Sequence, residues 1–251
     1  MAWRYITRMS RLLLRKTDPD SLVIPHETGN LHIRLRRRPT ARRLTLRVSN
    51  ATGEVIMTLP TRSSLAAAQT FALSQTAWIA ARLARVPARV PFEAGVMIPL
   101  RGLPHRIVHT TRRGAVAALL EGEEAVIAVA CEPDFVPRRV RDYLQREARR
   151  DLSASVLRYT ERLGERPKRI TVRDTKSRWG SCTAGGELNF SWRLILAPPI
   201  VLDYLVAHEM AHLREMNHSA RFWALVRALC PHVDEAETWL KRHGSELYRY
   251  G

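Results

Sequence analysis

The pattern that most constrains this chain is His208-Glu209-Met210-Ala211-His212, inside the apolar stretch from Pro198 to Trp223. In a helix, positions four apart lie on one face, so His208 and His212 can point two imidazoles at one point. Zinc accepts imidazole nitrogens as ligands. Glu209 lies about a hundred degrees round the helix, where it can take a proton from a metal-bound water without being a ligand. The spacing therefore predicts a helical zinc site with an adjacent general base.

A third ligand is expected from His218, which follows the second histidine after six residues. In the related His-Glu-x-x-His-x-x-Gly-x-x-His spacing a glycine turns the chain back, but here Glu215 stands at that place. We expect Asn217, which tolerates the left-handed conformation, to make the turn instead. A downstream carboxylate, Glu235 or Glu237, is the alternative third ligand. Three protein ligands would leave one zinc position for water, as a hydrolase requires.

The composition is that of a globular protein with a core, because 45% of the 251 residues are hydrophobic. No uninterrupted apolar run approaches the roughly 20 residues needed to span a bilayer, so no transmembrane segment is expected. The three cysteines, Cys131, Cys182 and Cys230, are far apart and odd in number. They argue against a disulfide framework and favour a reducing compartment, so we expect a cytoplasmic protein.

A formal net charge of +17, carried mostly by arginine, can attract polyanions such as nucleic acid or nucleotide phosphates. The arginines are dispersed, and no nucleic-acid-binding motif accompanies them, so a solvated basic surface explains the charge equally well. Residues 1–29 are expected to form a basic N-terminal extension, with disorder as one interpretation. The oligomeric state cannot be read from the sequence.

The pattern over residues 30–134 predicts a β-rich N-terminal module with one helix. Apolar and polar residues alternate from Leu31 and again from Leu44 to Leu59, which indicates a hairpin and an extra strand. A helix is expected from Leu65 to roughly Arg85, after which short strands between residues 96 and 130 are consistent with a meander. Residues 135–251 are expected to form a zincin-like domain, which makes the fold class α+β.

The zincin-like part should begin with a long helix, Val136–Leu163, that packs against the metal-site helix. Two strands, 169–173 and 187–194, are expected to form a hairpin through a tight turn at Gly185 and Gly186. In zinc peptidases an edge strand beside the cleft binds extended substrate by strand addition. The rim strand is predicted at 189–193, which makes three of its residues the expected substrate contacts: Asn189, Trp192 and Arg193. The alternative is that the aromatic residues cover the core, and the last helices are expected to break at Pro231.

Three pieces together resemble the YgjP-like metallopeptidase family, which is related to the SprT-like zinc proteases. They are Arg-Trp-Gly-Ser-Cys at 178–182, a strand carrying Asn189 and Trp192, and the stretch Tyr204–Trp223 around the histidines. The resemblance covers roughly residues 31–248. It implies a zinc ion held by His208, His212 and His218, with Glu209 as general base, which agrees with the spacing argument.

A group that stabilises the oxyanion of the reaction is also needed. Arg178, Arg193 and Tyr204 are the candidates by position, and Tyr204 lies one turn before His208 on the same helix face. Cys182 would lie close to the cleft. It can be a thiolate ligand or an inhibitory switch, but a buried structural thiol is the favoured interpretation.

These observations predict a zinc-dependent metallohydrolase, most simply a peptidase that acts on peptides or proteins. One alternative is a metal-dependent pyrophosphatase acting on nucleoside triphosphates such as UTP, an activity associated with YgjP-like relatives. The sequence has no glycine-rich phosphate loop, although Arg178 and Arg193 can supply positive charge in its place. A further alternative is a DNA-associated protease of the SprT-like kind, recruited by its basic surface.

Overall fold

The computed structural model describes residues 20–27, 29–49, 51–111 and 114–251. The chain divides into two compact units. The described residues of Met1–Ser49 and Gly53–Leu83 form the first unit, and those of Asn50–Thr52 and Ala84–Gly251 form the second. Most of the predicted N-terminal extension, residues 1–19, lies outside the described residues.

The first unit is a four-stranded sheet with two helices. Its strands are β1 (Ser21–Ile24), β2 (Leu31–Arg38), β3 (Thr45–Val48) and β4 (Val55–Pro60), in the order β1-β2-β4-β3. The predicted β3–β4 hairpin is confirmed, and β2 pairs with β4 in parallel. The alternation is visible in β2, because Leu31 and Ile33 are buried whereas Arg34 and Arg36 face solvent.

The single helix expected from Leu65 is divided into α1 (Leu65–Ser74) and α2 (Thr76–Leu83). The hydroxyl of Ser74 donates to the carbonyl of Phe71, and that of Thr76 donates to the carbonyl of Leu73. Such local hydrogen bonds compete with the helical ladder, which accounts for the break between the two helices.

The second unit begins with a sheet that is not the predicted meander. Its strands are β5 (Met97–Leu100), β6 (Leu103–Thr110), β7 (Ala117–Glu121) and β8 (Glu124–Ala130), in the order β5-β6-β8-β7. The meander prediction is wrong because β6 and β8 pair in parallel, with β7 added at the edge. This sheet belongs to the same compact unit as residues 199–211, the helix that carries His208. The sequence analysis placed a domain boundary after residue 134, and that boundary stays a prediction.

The long helix α3 (Val136–Leu163) has the predicted bounds and the predicted buried stripe. It packs against α4 (Pro199–Ala211), the helix that carries the first two residues of the site. Asp203 on α4 accepts hydrogen bonds from Ser155, Arg158 and Tyr159 of α3, at 2.7, 2.7 and 2.6 Å. These bonds fix where α4 lies along α3.

A three-stranded sheet precedes α4. It contains β9 (Arg169–Arg173), β10 (Gly180–Cys182) and β11 (Glu187–Ser191) in the order β10-β11-β9. The turn at Gly185 and Gly186 joins β11 to β10, not to β9, and β9 pairs with β11 in parallel. The chain then leaves the sheet as a 3₁₀ helix, Trp192–Leu196, three residues earlier than the predicted strand end.

After the site, the chain forms α5 (Ala220–Leu229), α6 (Val233–His243) and a 3₁₀ helix, Gly244–Arg249. The predicted break near Pro231 is confirmed. The architecture is a mixed α+β fold, with β-rich structure in the N-terminal region and helices in the C-terminal part. None of the helices in the described part of the chain combines the length and the apolar character that crossing a membrane needs.

Candidate metal centre

Three imidazoles converge at the end of α4. His208 lies in the last turn of the helix, His212 caps its C-terminus, and His218 lies in the loop that leads to α5. One ring nitrogen from each lies within 4.8 Å of the other two. The Nε2 atoms of His208 and His218 are 3.2 Å apart. The structure therefore brings together the three histidines that the sequence proposed as ligands.

The spacing of these nitrogens fits a zinc ion. Bonds of about 2.0–2.1 Å place two ligand nitrogens of a tetrahedral zinc site about 3.4 Å apart. Two facing Nε2 atoms at 3.2 Å are therefore close to that spacing. Burial lowers the pKa of His208 to about 4, and burial also lowers the pKa of His212. Both rings are consequently neutral at pH 7, which is the form that binds a metal.

The loop returns His218 to the site without the turn that we predicted. Among the described residues, Arg101 is the one non-glycine residue with a positive φ, so the left-handed turn at Asn217 is wrong. The backbone N–H groups of Arg214 and Glu215 instead both donate to the carbonyl of Ala211, at 3.1 and 3.0 Å. This tightened helix end precedes the loop that reverses the chain, and none of residues 213–218 has a positive φ.

Two aromatic side chains of α5, Phe222 and Trp223, pack against the imidazoles and are called the aromatic wall. The ring of Phe222 stacks on His212, with centroids 4.5 Å apart, and meets the rings of His208 and His218 at 4.9 and 4.8 Å. Trp223 is half-buried, with its ring 5.8 Å from His208 and 6.1 Å from His218. The sequence predicted helix-core residues here and missed their place in the site, because helical periodicity does not say which neighbour a buried face meets.

The carboxylate of Glu209 is buried beside this cluster, with 5% of the residue exposed. The backbone amide of Cys182 and the charge of Arg178 both lower the pKa of Glu209, because each favours its ionised form. Burial is the larger effect and raises the pKa of Glu209 to about 7. A carboxylate with a pKa near neutrality can both accept and release a proton at physiological pH.

Two of the three candidates for stabilising an oxyanion, Arg178 and Tyr204, lie in different environments. Arg178 is exposed, and its charge is close enough to lower the pKa of Glu209. Tyr204 is buried, and its hydroxyl donates to Oε1 of Glu237 at 2.9 Å. Its ring meets His208 edge-on, with centroids 5.9 Å apart. The side chain of Arg178 is therefore less constrained by neighbouring residues than that of Tyr204.

The predicted rim strand does not lie at the rim. Asn189 belongs to β11, which has β9 and β10 on its two sides, so its backbone cannot take a further strand. Trp192 is 1% exposed and lies in the 3₁₀ helix, so it covers the core as the alternative interpretation expected. The rim-strand prediction is wrong because a residue pattern gives strand periodicity but not strand order.

Arg193 is buried and holds the C-terminal segment. Its guanidinium donates to the carboxylate of Asp174 at 2.7 and 3.2 Å, and to the carbonyls of Leu247 and Tyr250 at 3.1 and 2.7 Å. The nitrogen atoms of its guanidinium group therefore already donate to acceptors within the protein. The structure therefore places Arg193 away from the role of a substrate contact or oxyanion group.

The alternative metal ligands lie outside the cluster. Glu237 accepts hydrogen bonds from Tyr204 and Lys241, and Glu235 lies 3.8 Å from His232. Burial raises the pKa of Cys182 to about 11, and its sulfur is not among the ligand atoms that converge on the site. Among the described residues, the three histidines are the group able to hold a metal ion.

Two histidines one turn apart, a third from the following loop and an adjacent buried carboxylate form the type of site found in metallopeptidases. The family model of the YgjP-like metallopeptidase domain matches residues 42–243. Because this match covers most of the chain, the protein belongs to the YgjP-like metallopeptidase family. No curated protein and no solved structure matches the chain.

Proposed function

We propose that this protein is a zinc-dependent peptidase whose catalytic part is zincin-like. The observation that carries the proposal is the convergence of three imidazole nitrogens within 4.8 Å, next to a buried carboxylate. His208, His212 and His218 would hold the metal. A bound zinc ion would supply Lewis-acid chemistry, by acidifying water and polarising the substrate carbonyl.

The residues of the chain perform the proton transfers. Glu209 accepts a proton from the attacking water at its carboxylate and passes it to the nitrogen of the leaving amine. The backbone amide of Cys182 favours the ionised form of the carboxylate, which is the form that accepts the proton. The positive charge of Arg178 lies on the solvent side of the site, where it can stabilise negative charge that develops on the carbonyl oxygen.

We place the substrate at the edge of β10 that faces away from β11, where no other described strand pairs with it. Ser191 donates to the carbonyl of Trp179, and Thr183 donates to the carbonyl of Glu187, so these pairs face each other across the ladder. In an antiparallel pair the direction of the backbone groups alternates, so the N–H and C=O groups of β10 residues 180 and 182 point away from β11. Because the N–H of Cys182 is directed at Glu209, an extended peptide can pair with the backbone groups of Gly180 and the carbonyl of Cys182 at that edge, and place its scissile bond beside Glu209.

The substrate class is tested with purified, zinc-loaded protein. Denatured proteins and a panel of nucleoside triphosphates are incubated in parallel with the parent protein and with the Glu209→Gln variant. We expect peptide-bond cleavage in the parent, none in the variant, and no nucleotide hydrolysis in either. Nucleotide hydrolysis that depends on Glu209, with no proteolysis, would replace the peptidase proposal with the pyrophosphatase alternative.

A further inference from the structure

We infer that Gly180 is the positioning residue for Glu209, because its missing side chain leaves the space that the carboxylate occupies. A Cβ atom placed on Gly180 would lie 2.5 Å from Oε1, 2.8 Å from Cγ and 2.9 Å from Cδ of Glu209. Real Cβ atoms do not approach other atoms this closely. The inference rests on the proposed function, since it explains how the general base of that reaction is aimed.

Space, not backbone conformation, explains the need for glycine here. The described glycines with positive φ include Gly164 and Gly186, but Gly180 is not among them. Its backbone is ordinary β-strand that any residue adopts. The contact with Glu209 is therefore the feature of the structure that a side chain at position 180 would disturb.

The same strand also presents a backbone amide to the carboxylate. The N–H of Cys182 points to the free edge of β10, and its dipole acts on the charge of Glu209. The three-residue strand thus places both the close contact at Gly180 and the amide of Cys182 beside the general base, next to the edge proposed for the substrate.

Contacts of Trp179, the residue just before β10, hold the strand in place. The ring of Trp179 stacks on Tyr248 at 4.7 Å and lies 3.5 Å from the position that a Cβ on Gly244 would take. The carbonyl of Trp179 also accepts the N–H of Ser191 at 2.9 Å. Because β10 is fixed in this way, an added methyl group would move the flexible end of Glu209 and not the strand.

The size of the movement gives the expected effect. Ordinary contact begins near 3.4 Å, so a carboxylate oxygen now 2.5 Å from the added Cβ must retreat by about 0.9 Å. A displacement of about 1 Å in a catalytic group can reduce the rate about 100-fold. The three nearest atoms in conflict are side-chain atoms of Glu209 and none is a backbone atom, so we expect the fold and the metal site to tolerate the change.

The test compares Gly180→Ala with Gly185→Ala, a matched change in the turn that joins β10 to β11. A Cβ on Gly185 would meet Thr183 Oγ1 at 3.6 Å, which is an ordinary contact. We expect Gly180→Ala to reduce kcat by about 10- to 100-fold with KM within about threefold, and to retain zinc content and melting temperature. Gly185→Ala should behave as the parent. Unchanged kcat in Gly180→Ala, or an equal loss in both variants, would overturn the inference.

A double-mutant cycle adds a measurement that general damage would not reproduce. Glu209→Asp shortens the side chain and withdraws it from position 180. We expect Glu209→Asp to reduce kcat by a smaller factor in the Gly180→Ala background than in the parent, because the two changes act on one contact. Equal factors in the two backgrounds would contradict the positioning role.

Failure of the proposed function gives a different result. If the zinc-loaded parent cleaves no peptide, the peptidase proposal fails, and crystal structures of the parent and Gly180→Ala still test the positioning of Glu209. A carboxylate displaced by about 1 Å in the variant supports the inference. A carboxylate that stays in place overturns it.

Discussion

The Nδ1 atom of His212 donates a hydrogen bond to the backbone carbonyl of Glu215, at 3.0 Å. A carbonyl can only accept, so the proton of this ring lies on Nδ1 and the lone pair lies on Nε2. The bond therefore turns Nε2, the proposed ligand atom of His212, towards the other two imidazoles. Glu215 stands where related spacings have a glycine, and its carbonyl orients the ring of His212.

The first prediction separates metal binding from proton transfer. Glu209→Gln removes a carboxylate that is next to the proposed metal site but outside its proposed ligand set, so the variant should retain zinc and lose at least about 100-fold in turnover. His212→Ala removes a ligand and should lose both zinc and turnover. Zinc content by elemental analysis and initial rates of peptide cleavage measure the two effects. Full activity in Glu209→Gln would contradict the mechanism.

The second prediction concerns the aromatic wall. The ring of Trp223 lies 5.8 Å from that of His208 and 6.1 Å from that of His218. Binding of zinc at these imidazoles should change the fluorescence of Trp223, and a chelator should reverse the change. The measurement is a zinc titration of the metal-free protein followed by emission.

A matched variant assigns that signal. Trp223→Phe should abolish most of the emission change while zinc still raises the melting temperature, because a metal that binds only the folded state stabilises it. Trp78, which is in the first unit, provides the control: Trp78→Phe should leave the response intact. A response that persists in Trp223→Phe would place the metal elsewhere.

The metal-site helix and the long helix before it were predictable from the sequence because both depend on local spacing. Two imidazoles four residues apart share a helix face whatever surrounds them, and the buried stripe of α3 repeats regularly over 28 residues. The sequence predicted that His218 comes back to the other two histidines, but it did not predict how the chain turns between His212 and His218. It depends on two N–H groups that share the carbonyl of Ala211, which no side-chain pattern encodes.

The order of the strands beside the site was not predictable in the same way. Asn189 and its neighbours alternate as a strand should, but alternation is the same in a central strand and in an edge strand. The three residues of β10 are too short a run to show any period. The contact between Gly180 and Glu209 joins positions far apart in the sequence, so only the folded arrangement reveals it.

The third prediction distinguishes a structural arginine from a substrate contact. Arg193→Met should reduce the free energy of unfolding by about 2–3 kcal/mol, because two carbonyls and a carboxylate lose their donor. This value is below that of a fully buried pair since the side chain of Asp174 is 41% exposed. Urea denaturation measures the loss, and KM for peptide should stay within about twofold of the parent value.

A surface pair supplies the control for that measurement. Arg34 pairs with Glu54 at 3.1 Å, and both side chains are largely in solvent. Arg34→Met should therefore leave the unfolding midpoint nearly unchanged. A large rise in KM for Arg193→Met, with no loss of stability, would restore the role in substrate binding that the sequence suggested.

The fourth prediction concerns the carboxylate that ties α4 to α3. Asp203→Ala leaves the hydroxyls of Ser155 and Tyr159 without their acceptor, and both residues are buried. We expect a loss of about 2–4 kcal/mol in the free energy of unfolding, because each unsatisfied buried donor costs about 1–3 kcal/mol. Asp203→Asn keeps one acceptor oxygen and should lose about half as much. The free energy of zinc binding should change less than the free energy of unfolding in both variants, since the histidines lie at or beyond the C-terminal end of α4, whereas Asp203 lies in its N-terminal half. If Asp203→Ala unfolds at the same urea concentration as the parent, these hydrogen bonds do not hold the helix in place.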